Sequence, residues 1–188
     1  MWNTPNLLTL LRIVLIPVFV VVFYAQGPWA RPTAAVIFTL AALTDWLDGH
    51  LARRWEQTSA LGAFLDPVAD KLMVAVALVF LVQVDPRPLL ALAAAVIIGR
   101  EITVSALREW MAEVGARSRV AVSWTGKVKT AAQMIAIIFL ILREPVFGVV
   151  IYDFALILLY VAAALTLWSM FLYLRAAWPI LSRPDHPG

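Results

Sequence analysis

Residues 45–70 read DWLDGHLARRWEQTSALGAFLDPVAD, and this stretch joins two strongly apolar segments of the chain. It contains four aspartates, which are Asp45, Asp48, Asp66 and Asp70. An ionisable side chain at bilayer depth costs roughly 2.5 to 3.5 kcal/mol, and two like charges about 4 Å apart repel by about 4 kcal/mol at an effective dielectric of about 20. One or two divalent cations bound among the carboxylate oxygens would relieve this repulsion. The stretch therefore predicts an oxygen-ligated metal site.

The composition of the chain places these aspartates in a membrane protein. Of its 188 residues, 63% are hydrophobic and 14% are charged, with a mean hydropathy of +0.87. Soluble domains are about 45 to 50% apolar and about 25% charged. The chain has no Cys, and His50 and His186 are too few and too far apart for a zinc site. We predict an all-α integral membrane protein whose metal ligands are oxygens.

Apolar segments of spanning length predict six transmembrane helices in one domain. They cover residues 7–24, 33–51, 68–84, 89–107, 126–142 and 149–173, with longer polar connections at 52–65 and 109–125. The first segment contains Arg12 and has no basic leader or cleavage site before it, so we expect it to be retained. The transmembrane domain is expected to cover residues 1–181, and the polar, proline-rich residues 182–188 to form a disordered tail.

Basic residues are distributed unevenly between the two sides of the predicted bundle. One side has Arg53, Arg54, Arg108, Arg117, Arg119, Lys127, Lys129, Arg175 and Arg183, and the other has Arg31, Arg87 and Arg143. The positive-inside rule therefore predicts that both termini and a cavity at the aspartates face the cytoplasm. Because the cations lie at helix ends and form no separate basic domain, we expect anionic membrane lipids and phosphorylated substrates as partners, and no nucleic acid.

The spacing of the aspartates brings their side chains together in pairs. Asp45 and Asp48 are three residues apart near the end of one predicted helix, and Asp66 and Asp70 are four apart at the start of the next. Two facing pairs would form an oxygen cage. Paired metal ions are a usual device for transferring a phosphoryl-type group, so the cage points to chemistry at phosphorus. Asp66 alone has another reading, because an aspartate before Pro67 could be a helix N-cap.

Three small residues and one arginine in the same stretch suit a bulky phosphorylated ligand. Gly49 and Ala52 keep the surface shallow where a ligand or neighbouring helix must come close, and Gly62 is expected to loosen the connection just before Asp66. Arg53 lies about one turn beyond Asp48 and offers a planar donor fork to phosphate oxygens. Its alternative role is a positive-inside anchor at the membrane surface.

From Asp45 to Asp70 the sequence matches the pattern D-x-x-D-G-x-x-A-R-x8-G-x-x-x-D-x-x-x-D without departure, and in this it resembles the CDP-alcohol phosphatidyltransferases. Further stretches resemble the branch of bacterial phosphatidylglycerophosphate synthases. These are NLLT at 6–9 with Arg12, REI at 100–102, SALREWMA at 105–112 and GKVKT at 126–130. The resemblance implies a six-helix enzyme of the bacterial inner membrane, commonly a homodimer. It would convert CDP-diacylglycerol and sn-glycerol 3-phosphate to phosphatidylglycerol phosphate and CMP, with two Mg²⁺ or Mn²⁺ ions.

The resemblance also implies roles for residues of the motif. The implied metal ligands are Asp45, Asp48, Asp66 and Asp70. The residues implied to bind CDP-diacylglycerol are Asp48, Gly49, Ala52, Arg53 and Gly62. Asp70 is in addition the implied catalytic base. The physical chemistry agrees, because a carboxylate held near a cation stays ionised at neutral pH and can accept the proton of the acceptor hydroxyl.

The acceptor must be selected by other residues. Glycerol 3-phosphate is a small dianion, and the candidate cations for its pocket are Arg100, Arg108, Lys127 and Lys129. Arg100 lies beside Glu101 within an apolar helix, where the alternative is a Glu101–Arg108 pair that neutralises buried charge. Lys127 and Lys129 at a helix start oppose the helix dipole, which favours a phosphate there, although both could be surface anchors.

Asn6, Thr9 and Arg12 form a polar stripe on the first predicted helix. The stripe either lines the cavity or flanks the membrane surface.

Two alternative functions compete with this hypothesis. A sister transferase would share the aspartate motif and use inositol phosphate, serine or phosphatidylglycerol as acceptor. An ion-coupled transporter would also hold carboxylates in helices, but its ion path would spread them through the membrane depth. All four aspartates cluster at one end, which favours the enzyme.

Overall fold

The computed structural model describes residues 4–55, 60–114, 124–143 and 151–182. Within them, side chains are described for residues 7–44, 65, 68–114, 129–143, 151–179 and 182. Six helices lie in the described ranges: α1 (Thr4–Tyr24), α2 (Ala30–Trp55), α3 (Ala60–Val84), α4 (Pro88–Glu113), α5 (Trp124–Leu142) and α6 (Tyr152–Leu181). The six predicted helices and the all-α class are confirmed. Of the predicted tail at 182–188, Ser182 forms a turn at the end of α6, and residues 183–188 lie outside the described residues.

The helices extend beyond the apolar segments at the end of the bundle that holds the aspartates. Helix α2 reaches Trp55 and α3 begins at Ala60, so residues 52–55 and 60–65 of the predicted 52–65 connection are helical, Gly62 among them. Residues 56–59 lie outside the described residues. Asp66 therefore lies inside α3, and its interpretation as a helix N-cap is wrong. Likewise α4 extends to Glu113, which places Arg108 on a helix instead of at a loop boundary.

Three helices in the described part of the chain are long and apolar enough to cross a membrane. These are residues Leu7–Tyr24 of α1, Pro88–Glu113 of α4 and Tyr152–Pro179 of α6, whereas the apolar parts of α2 and α5 are shorter. Large apolar side chains face outward, including Val21, Leu89 and Trp178, which are 71%, 63% and 67% exposed. Such a surface suits lipid. The structure supports a multi-pass membrane protein, and six crossings remain a prediction.

An aromatic cluster fixes the packing of α1, α2 and α3. The ring centroid of Phe19 lies 5.6 Å from that of Phe23, 6.2 Å from Phe38 and 6.3 Å from Phe80. Such ring pairs add to the stabilisation that apolar burial already provides. Helix α5 packs against α2 and α6, and α4 packs against α3 and α6. This packing brings the ends of α3, α4, α5 and α6 around one cavity.

Candidate active site

A cavity of about 150 Å³ opens among four helices at the end of the bundle where α2 ends and α3 begins. Its lining residues are Asp70, Lys71 and Val74 of α3, Arg100, Glu101 and Arg108 of α4, Thr130, Gln133 and Met134 of α5, and Tyr173 of α6. Three residues predicted from sequence therefore meet in one cavity: the proposed base Asp70 and the acceptor candidates Arg100 and Arg108. The cavity is rich in charged and hydrogen-bonding groups, which suits a small ionic ligand.

The two arginines of α4 are held in different ways. Arg100 is buried, and its Nη1 donates to the Glu101 carboxylate while its Nε has no hydrogen-bond partner. Arg108 donates from Nη2 to the Tyr173 hydroxyl over 3.1 Å, and its guanidinium lies 5.3 Å from the centroid of that ring. The predicted alternative, a Glu101–Arg108 pair, is wrong, because the carboxylate pairs with Arg100. Both guanidinium groups keep donors for a ligand in the cavity.

Lys129 adds a buried cation beside the cavity. It is 2% exposed, and its Nζ has no hydrogen-bond partner. Arg100, Glu101 and Arg108 lie close enough to act on its charge. A buried ammonium without a partner is costly, so this position favours an anionic ligand. The side chain of Lys127, in the first turn of α5, lies outside the described residues.

The charges described around the cavity do not balance. Four cationic side chains face two carboxylates, the cations being Lys71, Arg100, Arg108 and Lys129 and the carboxylates Asp70 and Glu101. The region is therefore suited to an anionic ligand bound next to Asp70.

Asp70 also borders a second, smaller cavity, which is shared with Arg12, Phe38 and Met134. Thr9 and Arg12 are each 1% exposed, so these two residues of the polar stripe point into the protein and not to the membrane surface. The side chain of Asn6 lies outside the described residues. A buried arginine on the far side of Asp70 gives that carboxylate cationic surroundings from two directions.

The helix backbones bring the rest of the aspartate motif to the same end of the bundle. Asp45 and Asp48 lie in the last three turns of α2, Asp66 and Asp70 lie in the first three turns of α3, and the two helices contact each other. The side chains of Asp45, Asp48 and Asp66 are outside the described set, as are those of Gly49, Ala52, Arg53 and Gly62. Among the side chains that are described, no three His, Cys, Asp or Glu residues form a metal-binding group.

Sequence reasoning missed several polar residues of the cavity. Tyr173 lies at the end of an apolar segment, and Gln133 is 4% exposed within another. A glutamine inside a membrane helix is itself a signal, since an amide in lipid needs a partner. For Tyr173 the sequence offers no comparable signal, because tyrosine is expected at membrane interfaces.

The sequence profile of the family described as CDP-alcohol phosphatidyltransferase matches residues 2–168. The chain belongs to this family. Its membership confirms the resemblance drawn from the aspartate motif, and it removes the support for a transporter. Curated members of this transferase family provide a closer comparison.

Three bacterial relatives are described as CDP-diacylglycerol–glycerol-3-phosphate 3-phosphatidyltransferase. The one from Yersinia pestis (strain Pestoides F) is 57% identical over 182 residues, which are 97% of this chain and 98% of the relative. That from Pectobacterium atrosepticum is 55% identical over 183 residues, 97% and 99% of the two chains. That from Sodalis glossinidius is 57% identical over 175 residues, 93% and 94% of the two chains.

Proposed function

We propose that the protein transfers the phosphatidyl group of CDP-diacylglycerol to sn-glycerol 3-phosphate, giving phosphatidylglycerol phosphate and CMP. The observation that carries this proposal is the 57% identity over nearly the full length of relatives named for that reaction. The charge of the cavity supports the same acceptor. Serine carries no phosphate, and its zwitterion would not offset the excess of cationic side chains beside Asp70.

The aspartates suit a divalent metal of the Mg²⁺ or Mn²⁺ type. The chain has no Cys, so the donor set is carboxylate oxygen, which hard cations prefer. Asp45, Asp48, Asp66 and Asp70 would hold two ions. When bound, the metal would offset the negative charge of the diphosphate under attack and of the departing CMP.

The donor nucleotide would bind next to the aspartates. Gly49, Ala52 and Gly62 lie at the end of α2 and the start of α3, where small residues allow a nucleotide to come close to the helices. Arg53, one turn beyond Asp48, would donate to phosphate oxygens. Asp48 completes the proposed CDP-diacylglycerol site.

The acceptor would be held and deprotonated by residues of the described cavity. Arg100 and Arg108, with Lys127 and Lys129 of α5, would bind its phosphate. Asp70 would take the proton of the glycerol hydroxyl. The hydroxyl oxygen attacks the phosphorus of the phosphatidyl group, and the bond from that phosphorus to the bridging oxygen breaks, so that CMP leaves with the bonding electrons.

We further propose a bacterial inner-membrane location with both termini and the cavity in the cytoplasm. The bias of Lys and Arg toward the cavity end of the helices supports this orientation. CDP-diacylglycerol would then enter the cavity from the cytoplasmic leaflet, where it lies among other membrane lipids. We also propose that the enzyme acts as a homodimer. Cysteine labelling at each end of the bundle tests the topology directly, because the chain has no native Cys.

Loss of either cavity arginine should weaken acceptor binding selectively. Arg100→Ala and Arg108→Ala are expected to raise the KM for glycerol 3-phosphate about 10- to 100-fold, which corresponds to about 1.5 to 3 kcal/mol for a charge-assisted hydrogen bond. The KM for CDP-diacylglycerol should change far less. Arg175→Ala is the matched control, since Arg175 is exposed near the same end of α6. Equal losses toward both substrates would contradict an acceptor site.

Tyr173 should act by positioning Arg108. Tyr173→Phe keeps the ring below the guanidinium and removes the hydroxyl that accepts from Nη2, so the KM for glycerol 3-phosphate should rise roughly three- to tenfold with little change in kcat. Tyr160→Phe, on the same helix, controls for the loss of a tyrosine hydroxyl. An equal effect of the two substitutions would show that the Arg108 contact is irrelevant to the acceptor.

A panel of acceptors tests the proposed reaction. Purified protein is incubated with CDP-diacylglycerol, Mg²⁺ and one acceptor at a time: glycerol 3-phosphate, inositol phosphate, serine or phosphatidylglycerol. We expect CMP release with glycerol 3-phosphate and none above background with the others. Faster release with another member of the panel would assign the protein to a sister activity.

A further inference from the structure

A second cationic cluster lies at the end of the bundle opposite the cavity. There α1, α3 and α5 end at Tyr24, Val84 and Leu142, and α2, α4 and α6 begin. The cluster contains Arg31, Arg87 and Arg143, the three basic residues on the side that is poor in cations. Tyr24 and Trp29 are 52% and 55% exposed at the same end. Exposed aromatic residues of this kind mark the headgroup region of a membrane, so the cluster lies at headgroup depth.

The described carboxylates of the cluster are already engaged. Arg87 contacts Asp85 through Nε over 3.1 Å and approaches Asp153 to 3.9 Å. The Tyr152 hydroxyl donates to the other oxygen of Asp85 over 2.5 Å, so both oxygens of this buried carboxylate have partners. Asp153 is largely exposed. Among the described residues, no carboxylate forms an ion pair with Arg31 or Arg143.

Aromatic rings hold these two arginines in place. The guanidinium of Arg31 lies 4.2 Å from the centroid of Phe23, and that of Arg143 lies 5.7 Å from the centroid of Tyr152. The Nη1 atom of Arg31 is buried without a hydrogen-bond partner. Stacking on a ring fixes the plane of a guanidinium while its fork of donors remains available.

The backbone at Arg143 places this residue at the end of α5. Arg143 caps α5 with φ of 57°, and its N–H donates to the Phe139 carbonyl over 3.1 Å. Glycine is the usual residue in this left-handed position, since an L side chain is strained there. Here the chain keeps an arginine, close enough to Arg31 for the two charges to repel. An anion bound between them would relieve that repulsion and give the unpaired Nη1 of Arg31 a hydrogen-bond partner.

We propose that Arg31 and Arg143 bind the phosphate of an anionic phospholipid in the leaflet opposite the active site. The bilayer depth marked by Tyr24 and Trp29 favours a lipid headgroup over dissolved phosphate. The site is separate from catalysis, because it lies at the other end of the helices that line the cavity. Its function is to hold an annular lipid against the α1–α2 and α5–α6 ends.

Native mass spectrometry of the detergent-solubilised protein tests this site. The wild type and Arg31→Gln/Arg143→Gln are each titrated with phosphatidylglycerol and, separately, with phosphatidylcholine. The double variant should lose at least about tenfold in affinity for one bound phosphatidylglycerol, the loss expected for one charge-assisted hydrogen bond. Arg175→Gln removes an exposed cation from the other end and should retain this lipid. Arg31→Lys/Arg143→Lys keeps both charges but removes the planar guanidinium donors. Its affinity for phosphatidylglycerol should lie between those of the wild type and the double glutamine variant.

Two further measurements decide between the proposal and its competitors. Unchanged CMP release by the double variant would show that it is folded, and inorganic phosphate at the same concentration should not compete with the lipid. If phosphate competes as well as phosphatidylglycerol, the site is an anion site and not a lipid site. If the double variant is destabilised without lipid yet binds as much phosphatidylglycerol as the wild type, the arginines make an internal contact, for example with Glu144, which lies outside the described residues. Either result overturns the proposal.

Discussion

Asp70→Asn is expected to lower turnover by about 10² to 10⁴-fold while CDP-diacylglycerol still binds in the presence of metal. The substitution keeps the shape of the side chain and one oxygen, but it removes the group that accepts the proton of the glycerol hydroxyl. Asp70 borders both cavities, between the cations of α4 and buried Arg12. Asp70 therefore lies next to the groups proposed to bind the acceptor phosphate.

A binding assay for CDP-diacylglycerol run beside the turnover assay separates the two roles of Asp70. Glu101→Gln is the matched control, because it removes the other described carboxylate of the same cavity. Its effect on turnover should be much smaller than that of Asp70→Asn, since Glu101 is occupied by Arg100. Loss of nucleotide binding in step with turnover would make Asp70 chiefly a metal ligand. Near-normal turnover would remove it from the mechanism.

Asp45→Ala, Asp48→Ala and Asp66→Ala should each weaken metal binding as well as turnover. Loss of a partner in the outer shell of a metal site already costs roughly 10- to 100-fold in affinity or activity, and a direct ligand should cost at least as much. The position of Asp66 inside α3 strengthens this expectation, because a helix-capping role no longer accounts for the residue.

Titration of activity with Mg²⁺ and with Mn²⁺ measures the apparent metal affinity of each variant. Asp153→Asn serves as the control, since this exposed carboxylate lies at the opposite end of the bundle. Its metal dependence should match that of the wild type. Unchanged metal dependence in all three motif variants would refute the oxygen cage.

Hydropathy predicted the existence and order of the helices and located some of their ends to the residue. The first, third and fifth segments end at Tyr24, Val84 and Leu142, as the helices do. At Tyr24 and Val84 an apolar helix meets a short connection that contains glycine or proline, so polarity and backbone conformation change together. At the cavity end of the bundle, polarity and backbone conformation do not change together. Polar residues continue the helix beyond the apolar segment there, so hydropathy alone wrongly places Trp55 and Glu113 in loops.

The candidate site was predictable where the signal was local in sequence. Asp70, Arg100 and Arg108 were each recognised as ionisable residues in or beside apolar segments, and all three line the cavity. Contacts between distant residues could not be read in this way. Tyr173 reaches Arg108 because α6 packs against α4, and the two residues are 65 positions apart.

The error over Glu101 has a simple geometric cause. Residues seven apart on a helix are separated by about 10.5 Å along its axis, which is long for a direct pair between side chains. Glu101 instead reaches the guanidinium of its neighbour Arg100. Because Glu101 pairs with Arg100, Arg108 is not neutralised by this carboxylate. Arg108 instead donates to Tyr173 and can bind a ligand in the cavity.

The most direct test of the proposed reaction is the identity of its lipid product. Purified protein is incubated with CDP-diacylglycerol, Mg²⁺ and carbon-13-labelled glycerol 3-phosphate. The lipid is then extracted and analysed by mass spectrometry. We predict a labelled phosphatidylglycerol phosphate that retains the acceptor phosphate, formed in equal amount with CMP. CMP release without label in the lipid would mean hydrolysis or transfer to another acceptor, and would contradict the proposed function.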